Sequence, residues 1–265
     1  MEISLLENKT IYFVGCSYTW GAGLEMEYYL NNMNWDIEKI QKENDMSTRR
    51  LENGTYEAAE YRRKNRFANL VAKHFNVNHE VLNVGNGGNN GYTLDLIESS
   101  TMSVPKIIIV QLSFYGRSWT FQNPKQFDNE ELLKRGDSYI LDNFSKEDLL
   151  NECYTQIYKI YNIAYLERKE NNWDYPQIYF IAWHKEFGEV LKNKFSNHFI
   201  PIHIDGKDYN SFEDTTEDFN NHNVRDYNKM RLCDVILGID DTHLSSIGHK
   251  IVADSIIKKI ENEYI

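Results

Sequence analysis

The chain has few cysteines and prolines, and it lacks long apolar runs. Only three of its 265 residues are cysteine and four are proline. Cys16, Cys153 and Cys233 lie far apart without a CxxC pair, which argues against a disulfide framework and a thiolate zinc site. No apolar run approaches the roughly 20 residues of a membrane helix, and no basic segment precedes a long apolar one near the start. We therefore expect a soluble, cytoplasmic protein without a membrane partner.

The chain also has fewer basic than acidic residues. Lysine and arginine total 29 against 40 aspartates and glutamates, which gives a net charge of -11. A surface with this excess of negative charge repels nucleic-acid backbones and anionic lipids. Nucleic acid is therefore not an expected partner, and the composition leaves the oligomeric state open.

Short apolar segments alternate with segments whose apolar residues repeat at helical spacing. The predicted strands are 10–16, 80–85, 106–113, 177–183 and 198–204. The predicted helices are 61–75, 91–100, 146–170, 185–195 and 245–264. Continuous apolar strands between helices favour a parallel sheet that is covered on both faces. The expected fold is an α/β, flavodoxin-like three-layer α/β/α sandwich with a five-stranded parallel sheet.

Three polar segments do not fit this frame: 31–60, 114–145 and 205–230. Insertions of this length in a compact domain are usually lids or binding loops, or else disordered. The chain has no internal repeat, linker or low-complexity tract, and 41% hydrophobic residues can fill a sizeable core. We expect a single domain over residues 1–265 with these three insertions.

The segment "FVGCSYTWGAG" places Ser17 just after the first predicted strand. Gly21-Ala22-Gly23-Leu24-Glu25-Met26 lacks the third glycine of a dinucleotide fingerprint, and the Lys-Ser or Lys-Thr of a P-loop is missing. Two interpretations of Ser17 stay open, a helix cap and a nucleophile. Taken alone, the segment favours the cap.

The segment "GIDDTHLSSIGH" changes that balance. Asp240 precedes His243 by three residues, immediately ahead of a predicted helix. A carboxylate at this spacing can bind the imidazole Nδ1 and leave Nε2 free to take a proton from a hydroxyl. Together with Ser17, the pair would supply a nucleophile, a base and a group that orients the base. The other histidines show neither HxH nor HExxH spacing, so no metal site and no cofactor are expected.

These segments resemble the conserved blocks of the SGNH, or GDSL-like, hydrolases. The resemblance rests on "VGCSYTWGAGL", "LNVGNGGNNGYTL" and "DDTHLSSIGH", which lie near both ends of the chain and on the first glycine-rich loop between them. The stretch Gly-Cys-Ser-Tyr-Thr is most similar to that of the phage-encoded members. The resemblance implies Ser17 as nucleophile, His243 as general base and acid, and Asp240 as its orienter. It further implies backbone oxyanion donors at Ser17 and Gly88.

Two positions depart from the family pattern. Cys16 stands where the family has aspartate, and "QLSFYGR" stands where the family has Gly-x-Asn-Asp. Ser113 lies nearest the position of the absent asparagine, and we expect its hydroxyl to line the oxyanion site. Arg117 is expected to point into the cleft and bind substrate, the alternative being a surface ion pair.

Two further residues are candidates for contact with the substrate. Trp20 flanks the proposed nucleophile, and Asn90 lies in the glycine-rich loop. Their alternatives are core packing for the tryptophan and a left-handed turn for the asparagine.

The expected function is that of a serine esterase. It would hydrolyse a short acyl or acetyl ester of a carbohydrate or another small polar substrate. The reaction would pass through an acyl-enzyme. The alternative is a catalytically impaired SGNH-like protein with a binding or structural role, because the third block lacks its asparagine.

Overall fold

The computed structural model describes residues 10–33, 44–45, 50–51, 55–83, 90, 93, 96–97, 105–113, 142–171, 177–215 and 243–264. The strands in these segments are β1 (Thr10–Gly15), β2 (Asn44–Asp45), β3 (Arg50–Leu51), β4 (Asn78–Asn83), β5 (Pro105–Leu112), β6 (Gln177–Ala182), β7 (Ile202–Ile204) and β8 (Lys207–Tyr209). The helices include α1 (Ser17–Trp20), α2 (Leu24–Asn32), α3 (Tyr56–Asn65), α4 (Phe67–Phe75), α5 (Lys146–Asn171), α6 (Lys185–Lys194) and α7 (Ser246–Tyr264).

The main sheet of the described segments has four parallel strands in the order β4-β1-β5-β6. The chain moves from β1 outward to β4 and then crosses back to β5 on the other side of β1. This change of direction makes the carboxyl ends of β1 and β5 a topological switch point, where open α/β sheets bind their ligands. The residues that follow these two strands therefore border the expected crevice.

Both faces of the sheet are buried, which explains the continuous apolar strands in the sequence. One face packs against α4 and α7 and includes Ile11, Phe13, Ile107 and Ile109. The opposite face packs against α5 and α6 and includes Tyr12, Val14, Ile108 and Val110. The alternation along β1 and β5 sends neighbouring side chains to opposite layers. The predicted α/β class with a parallel sheet between helical layers is thus confirmed.

The fifth predicted strand, 198–204, does not extend the main sheet as a regular strand. Phe199 makes a single parallel bridge to Phe180 of β6. β7 pairs antiparallel with β8 to form a separate hairpin. The cause is the turn Asp205-Gly206, whose φ angles of 49° and 83° suit a tight hairpin. The Asp-Gly pair was a signal for this hairpin in the sequence.

The predicted helix 61–75 is two helices. Arg66 has extended backbone angles, φ -69° and ψ 145°, and separates α3 from α4. α3 begins earlier than predicted because the Thr55 side chain accepts a hydrogen bond from the Ala58 N–H and caps the helix. The break lets α3 pack on α2 while α4 packs on the sheet and α7.

The three predicted insertions lie only partly within the described residues. The first contributes the carboxyl end of α2, the β2–β3 pair and the start of α3, and the third contributes β8 and a helical turn at 212–215. Their expected roles as lids or binding loops, and the single-domain organisation, stay predictions. None of the described helices combines the length and the apolar character that crossing a bilayer requires.

Candidate active site

The structure describes five of the eight residues that the sequence singles out. Gly88, Arg117 and Asp240 lie outside the described residues, so the roles expected for them stay predictions. Ser17, Trp20, Asn90, Ser113 and His243 are all described.

Ser17 and His243 lie in hydrogen-bonding contact although 226 residues separate them in sequence. The His243 Nε2 atom is 2.8 Å from the Ser17 Oγ atom. Ser17 is the first residue of α1, directly beyond the end of β1, and His243 precedes α7. The His243 residue is fully buried, whereas Ser17 is half-buried. A hydroxyl held against an imidazole nitrogen in this way can transfer its proton to that nitrogen.

Gln111 of β5 forms hydrogen bonds with the residues on either side of Ser17, which we call the serine turn (residues 16–19). The Gln111 Oε1 atom accepts hydrogen bonds from Cys16 N at 3.4 Å, Cys16 Sγ at 3.0 Å and Thr19 Oγ1 at 3.4 Å. The Gln111 Nε2 atom donates to the Leu112 carbonyl at 2.8 Å, which fixes the amide orientation. These bonds tie the turn that carries Ser17 to β5. A glutamine inside the apolar run "KIIIVQL" was the signal that sequence reasoning missed.

Gly15 allows this close approach between the serine turn and β5. A Cβ atom at Gly15 would lie 2.3 Å from Thr19 Oγ1 and 3.0 Å from Gln111 Cβ. Real Cβ atoms do not come so close to other atoms, so a larger residue would push α1 away from β5. The glycine therefore serves the packing of the turn.

The turn that follows Ser17 closes on the serine carbonyl. Gly21 N and Ala22 N donate to the Ser17 oxygen at 3.0 and 2.9 Å. Gly21 has a φ of 88°, a conformation that favours glycine and ends α1 after one turn. The backbone of the proposed nucleophile is thus fixed from both sides.

Glu27 of α2 fixes the beginning of α7, close in sequence to His243. Its carboxylate accepts hydrogen bonds from Ser246 N at 2.8 Å and Ser246 Oγ at 2.7 Å. A carboxylate at a helix amino terminus satisfies free N–H groups and opposes the helix dipole. The sequence carried no local signal of this contact, because the two residues are 219 positions apart.

His249, one turn into α7, lies close to His243 and is fully buried. Its Nδ1 atom accepts a hydrogen bond from Phe67 N at 3.3 Å. Burial, followed by the nearby His243 and Arg66, lowers the pKa of His249 to about 3. The neighbour of the proposed base is therefore a neutral imidazole at ordinary pH.

Trp20 carries an arginine on its ring. The Arg62 Cζ atom is 3.3 Å from the Trp20 ring centroid, and Arg62 Nη1 donates to Glu25 Oε1 at 2.5 Å. Trp20, on α1, is half-buried, while Arg62 comes from α3 and is buried. The stacked guanidinium, held by a carboxylate, fixes the indole ring three residues after Ser17. Sequence reasoning took the segment around Arg62 for an ordinary helix and missed this contact.

Asn90 fastens the end of β5 to α5. Its Oδ1 atom accepts from Ser113 N at 2.8 Å, and its Nδ2 atom donates to Gln156 Oε1 at 2.6 Å. Asn90 and Ser113 are both buried, at 2% exposure each. The amide thus has a structural function, while its expected contact with substrate and the oxyanion role of the Ser113 hydroxyl stay predictions.

We predict that Gln111→Leu destabilises the protein by about 1–3 kcal/mol, because buried Cys16 and Thr19 donors lose their acceptor. Thermal unfolding followed by circular dichroism measures the change. Asn193→Leu, which replaces an exposed amide on α6, is the control and should have a smaller effect. An unchanged melting temperature for Gln111→Leu would show that this side chain does not hold the serine turn.

The buried His249 predicts a pH dependence of stability. The unfolded chain takes up a proton at this residue below pH 6.5, its ordinary pKa, whereas the folded protein does so only near the lowered pKa of about 3. The free energy of unfolding should therefore fall between these values as pH decreases, by at most about 1.4 kcal/mol per pH unit from this residue. Urea unfolding from pH 7 to pH 4 measures the slope. His249→Leu should be less stable at pH 7 but have a shallower slope, and equal slopes would contradict the assignment.

No protein-family model matches the chain, and no curated protein matches it. Solved structures with a similar course of the chain include a two-domain esterase active on acetylated mannans, with a TM-score of 0.44, 12% identity and coverage of 96% of this chain and 49% of that one. Phospholipase A1 from Streptomyces albidoflavus NA297 has a TM-score of 0.43 and 9% identity, and the match covers 96% of this chain and 99% of that one. A carbohydrate esterase family 2 enzyme from Corynascus thermopiles (Myceliophthora fergusii) has a TM-score of 0.46 and 12% identity, with coverage of 96% of this chain and 66% of that one. The chain spans about half the length of the first esterase. Similarities this weak carry no argument about activity.

Proposed function

We propose that the chain is a serine esterase of the SGNH type. The observation that carries the proposal is the 2.8 Å contact between Ser17 Oγ and His243 Nε2 at the carboxyl end of β1. A capping serine, the rival interpretation, needs no imidazole partner. The position at the switch point of the sheet supports a reactive site, since ligands of open α/β sheets bind there.

The proposed reaction begins with attack of Ser17 Oγ on the ester carbonyl carbon, while His243 Nε2 takes the hydroxyl proton. His243 then gives this proton to the leaving alcohol oxygen as the bond between that oxygen and the acyl carbon breaks. The acyl group stays on Ser17. A water molecule, deprotonated by His243, attacks the acyl carbon, and the carboxylic acid leaves as Ser17 regains its proton. Asp240 would hold the imidazole in the required tautomer.

The oxyanion of the tetrahedral intermediates needs donors near Ser17. We assign this role to the backbone N–H groups of Ser17 and Gly88 and to the Ser113 hydroxyl. Donors of this kind are each worth about 3 kcal/mol in the transition state. The adjacency of β1 and β5 supports the assignment of Ser113, because the residues after both strands share one edge of the sheet. The Ser113 backbone N–H, in contrast, already donates to Asn90.

The proposed substrate is a short acyl or acetyl ester of a carbohydrate or another small polar molecule. Trp20 with Arg62 on its ring offers a rigid aromatic side chain beside the nucleophile, and such groups pack well against polar molecules with apolar faces. Arg117 and Asn90 complete the proposed set of substrate contacts. No cofactor takes part in the proposed chemistry.

We predict that Ser17→Ala lowers ester turnover by at least about 10³-fold without unfolding the protein, because it removes the nucleophile and only one hydroxyl. The measurements are hydrolysis of p-nitrophenyl acetate and covalent labelling by a fluorophosphonate probe. Ser196→Ala is the matched control and should keep both signals, because Ser196 is exposed at the start of a short 3₁₀ helix, Ser196–His198. Activity within tenfold of the parent in Ser17→Ala would refute the mechanism. A parent protein that neither hydrolyses nor labels would favour the impaired binding protein instead.

We predict a larger loss of turnover for Asp240→Asn than for Asp241→Asn, about 10³-fold or more, because an amide cannot stabilise the imidazolium as a carboxylate does. Hydrolysis of p-nitrophenyl acetate by the two variants measures the difference. The adjacent pair is a well-matched comparison, since both substitutions remove one charge from the same segment. A larger loss at Asp241 would show that the neighbouring carboxylate orients His243.

A further inference from the structure

A second group of polar side chains lies beyond the end of β6. His184 immediately precedes α6, Glu186 is in the first turn of α6, and Glu213 is in the helical turn at 212–215. One ligand atom of each residue lies within 4.8 Å of the others. Because the group follows β6 of the parallel sheet, it lies at the same edge as Ser17 and Ser113, with β5 between β6 and β1.

Glu186 is the unusual member of this group. The residue is only 6% exposed. Its carboxylate lies within 4.8 Å of that of Glu213, and two negative charges so close together repel each other. A cation between the three side chains would offset this repulsion.

The other two side chains are held in place by contacts with each other and with the backbone. Glu213 Oε2 accepts a hydrogen bond from Lys185 N at 3.0 Å and lies 3.3 Å from His184 Nδ1. The Glu213 N–H donates to the Trp183 carbonyl at 3.1 Å. The turn that carries Glu213 is thus fixed against the segment between β6 and α6, and the ligand atoms are brought together before any ion binds.

The chemistry of the three groups selects the class of ion. Two carboxylates carry two negative charges, which match a divalent cation. An imidazole nitrogen favours a transition metal, whereas calcium and magnesium prefer oxygen ligands alone. Zinc binds three protein ligands of these types and keeps a fourth position for water. Zinc bonds of about 2.0–2.1 Å bring ligand atoms to roughly 3.4 Å from one another, so ligand atoms that are at most 4.8 Å apart would close by no more than about 1.4 Å.

We propose that His184, Glu186 and Glu213 bind one zinc ion. Sequence spacing did not predict this site, because Glu213 comes from a segment 29 positions beyond His184 and no HxH or HExxH motif is present. The ion joins the end of β6, the start of α6 and the turn at 212–215, and so stabilises this part of the sheet edge. The proposal is independent of the function assigned to Ser17.

The test measures metal binding by the 265-residue chain after treatment with a chelator. Isothermal titration with Zn²⁺ should give one bound ion per chain, and Zn²⁺ should raise the melting temperature, because an ion that binds the folded state alone stabilises it. Mg²⁺ and Ca²⁺ at the same concentration should have little effect. Absence of Zn²⁺ binding, or an equal response to Mg²⁺, would overturn the proposal.

Glu186→Gln should weaken Zn²⁺ binding by at least about 100-fold, since it removes a direct ligand while keeping the size of the side chain. Glu189→Gln, on the same helix, is the matched control and should keep the parent affinity. His203→Gln is a second control, because His203 and Asp208 form an exposed pair that could attract Zn²⁺ at the surface. Equal affinity in Glu186→Gln, or loss in His203→Gln, would place the ion elsewhere. If Glu186→Gln does not fold, Glu213→Gln replaces it, with the visible spectrum of bound Co²⁺ as the readout.

Discussion

The burial of β1 and β5 on both faces is the constraint on which the rest of the structure depends. Because helices cover each face, the two strands are fixed side by side and their carboxyl ends meet at one edge. Ser17 and Ser113 follow these two neighbouring strands at this edge. Gln111 of β5 then links this strand to the turn that follows β1, since its side chain accepts hydrogen bonds from Cys16 and Thr19. The position of the serine therefore follows from the core and only secondarily from the loop sequence.

The second half of the site depends on contacts between distant segments. α7 packs on α4, and Glu27 of α2 accepts hydrogen bonds from the N–H and the hydroxyl of Ser246, the first residue of α7. These contacts place His243 against the serine from the opposite end of the chain. An elaboration of the fold, α2 and α3, thus supports the site twice, through Glu27 under α7 and through Arg62 on the Trp20 ring.

The main strands and helices could be predicted from the sequence because their periodicity records which faces are buried. The Ser17–His243 contact could be anticipated because Ser17 follows the first strand and His243 lies three residues after Asp240, just ahead of a helix. The supporting residues could not. Gln111, Glu27 and Arg62 act through partners far away in sequence, and no local pattern distinguishes them from ordinary polar residues. The prediction of a fifth strand in the main sheet was wrong because it followed the apolar residues of 198–204 and did not use the Asp205-Gly206 turn signal. His184, Glu186 and Glu213 were not predicted as a group because they share no sequence motif.

The large separation of Ser17 and His243 has a consequence for folding. Bringing them together closes a loop of more than two hundred residues, and the entropy lost in closing it must be recovered by contacts that form along the way. During synthesis the chain can complete β1, β4 and β5 before α7 exists, so a compact intermediate would expose the face that α7 later covers. Any reactive pair at this site is therefore absent from the nascent chain and arises only when the last helix docks.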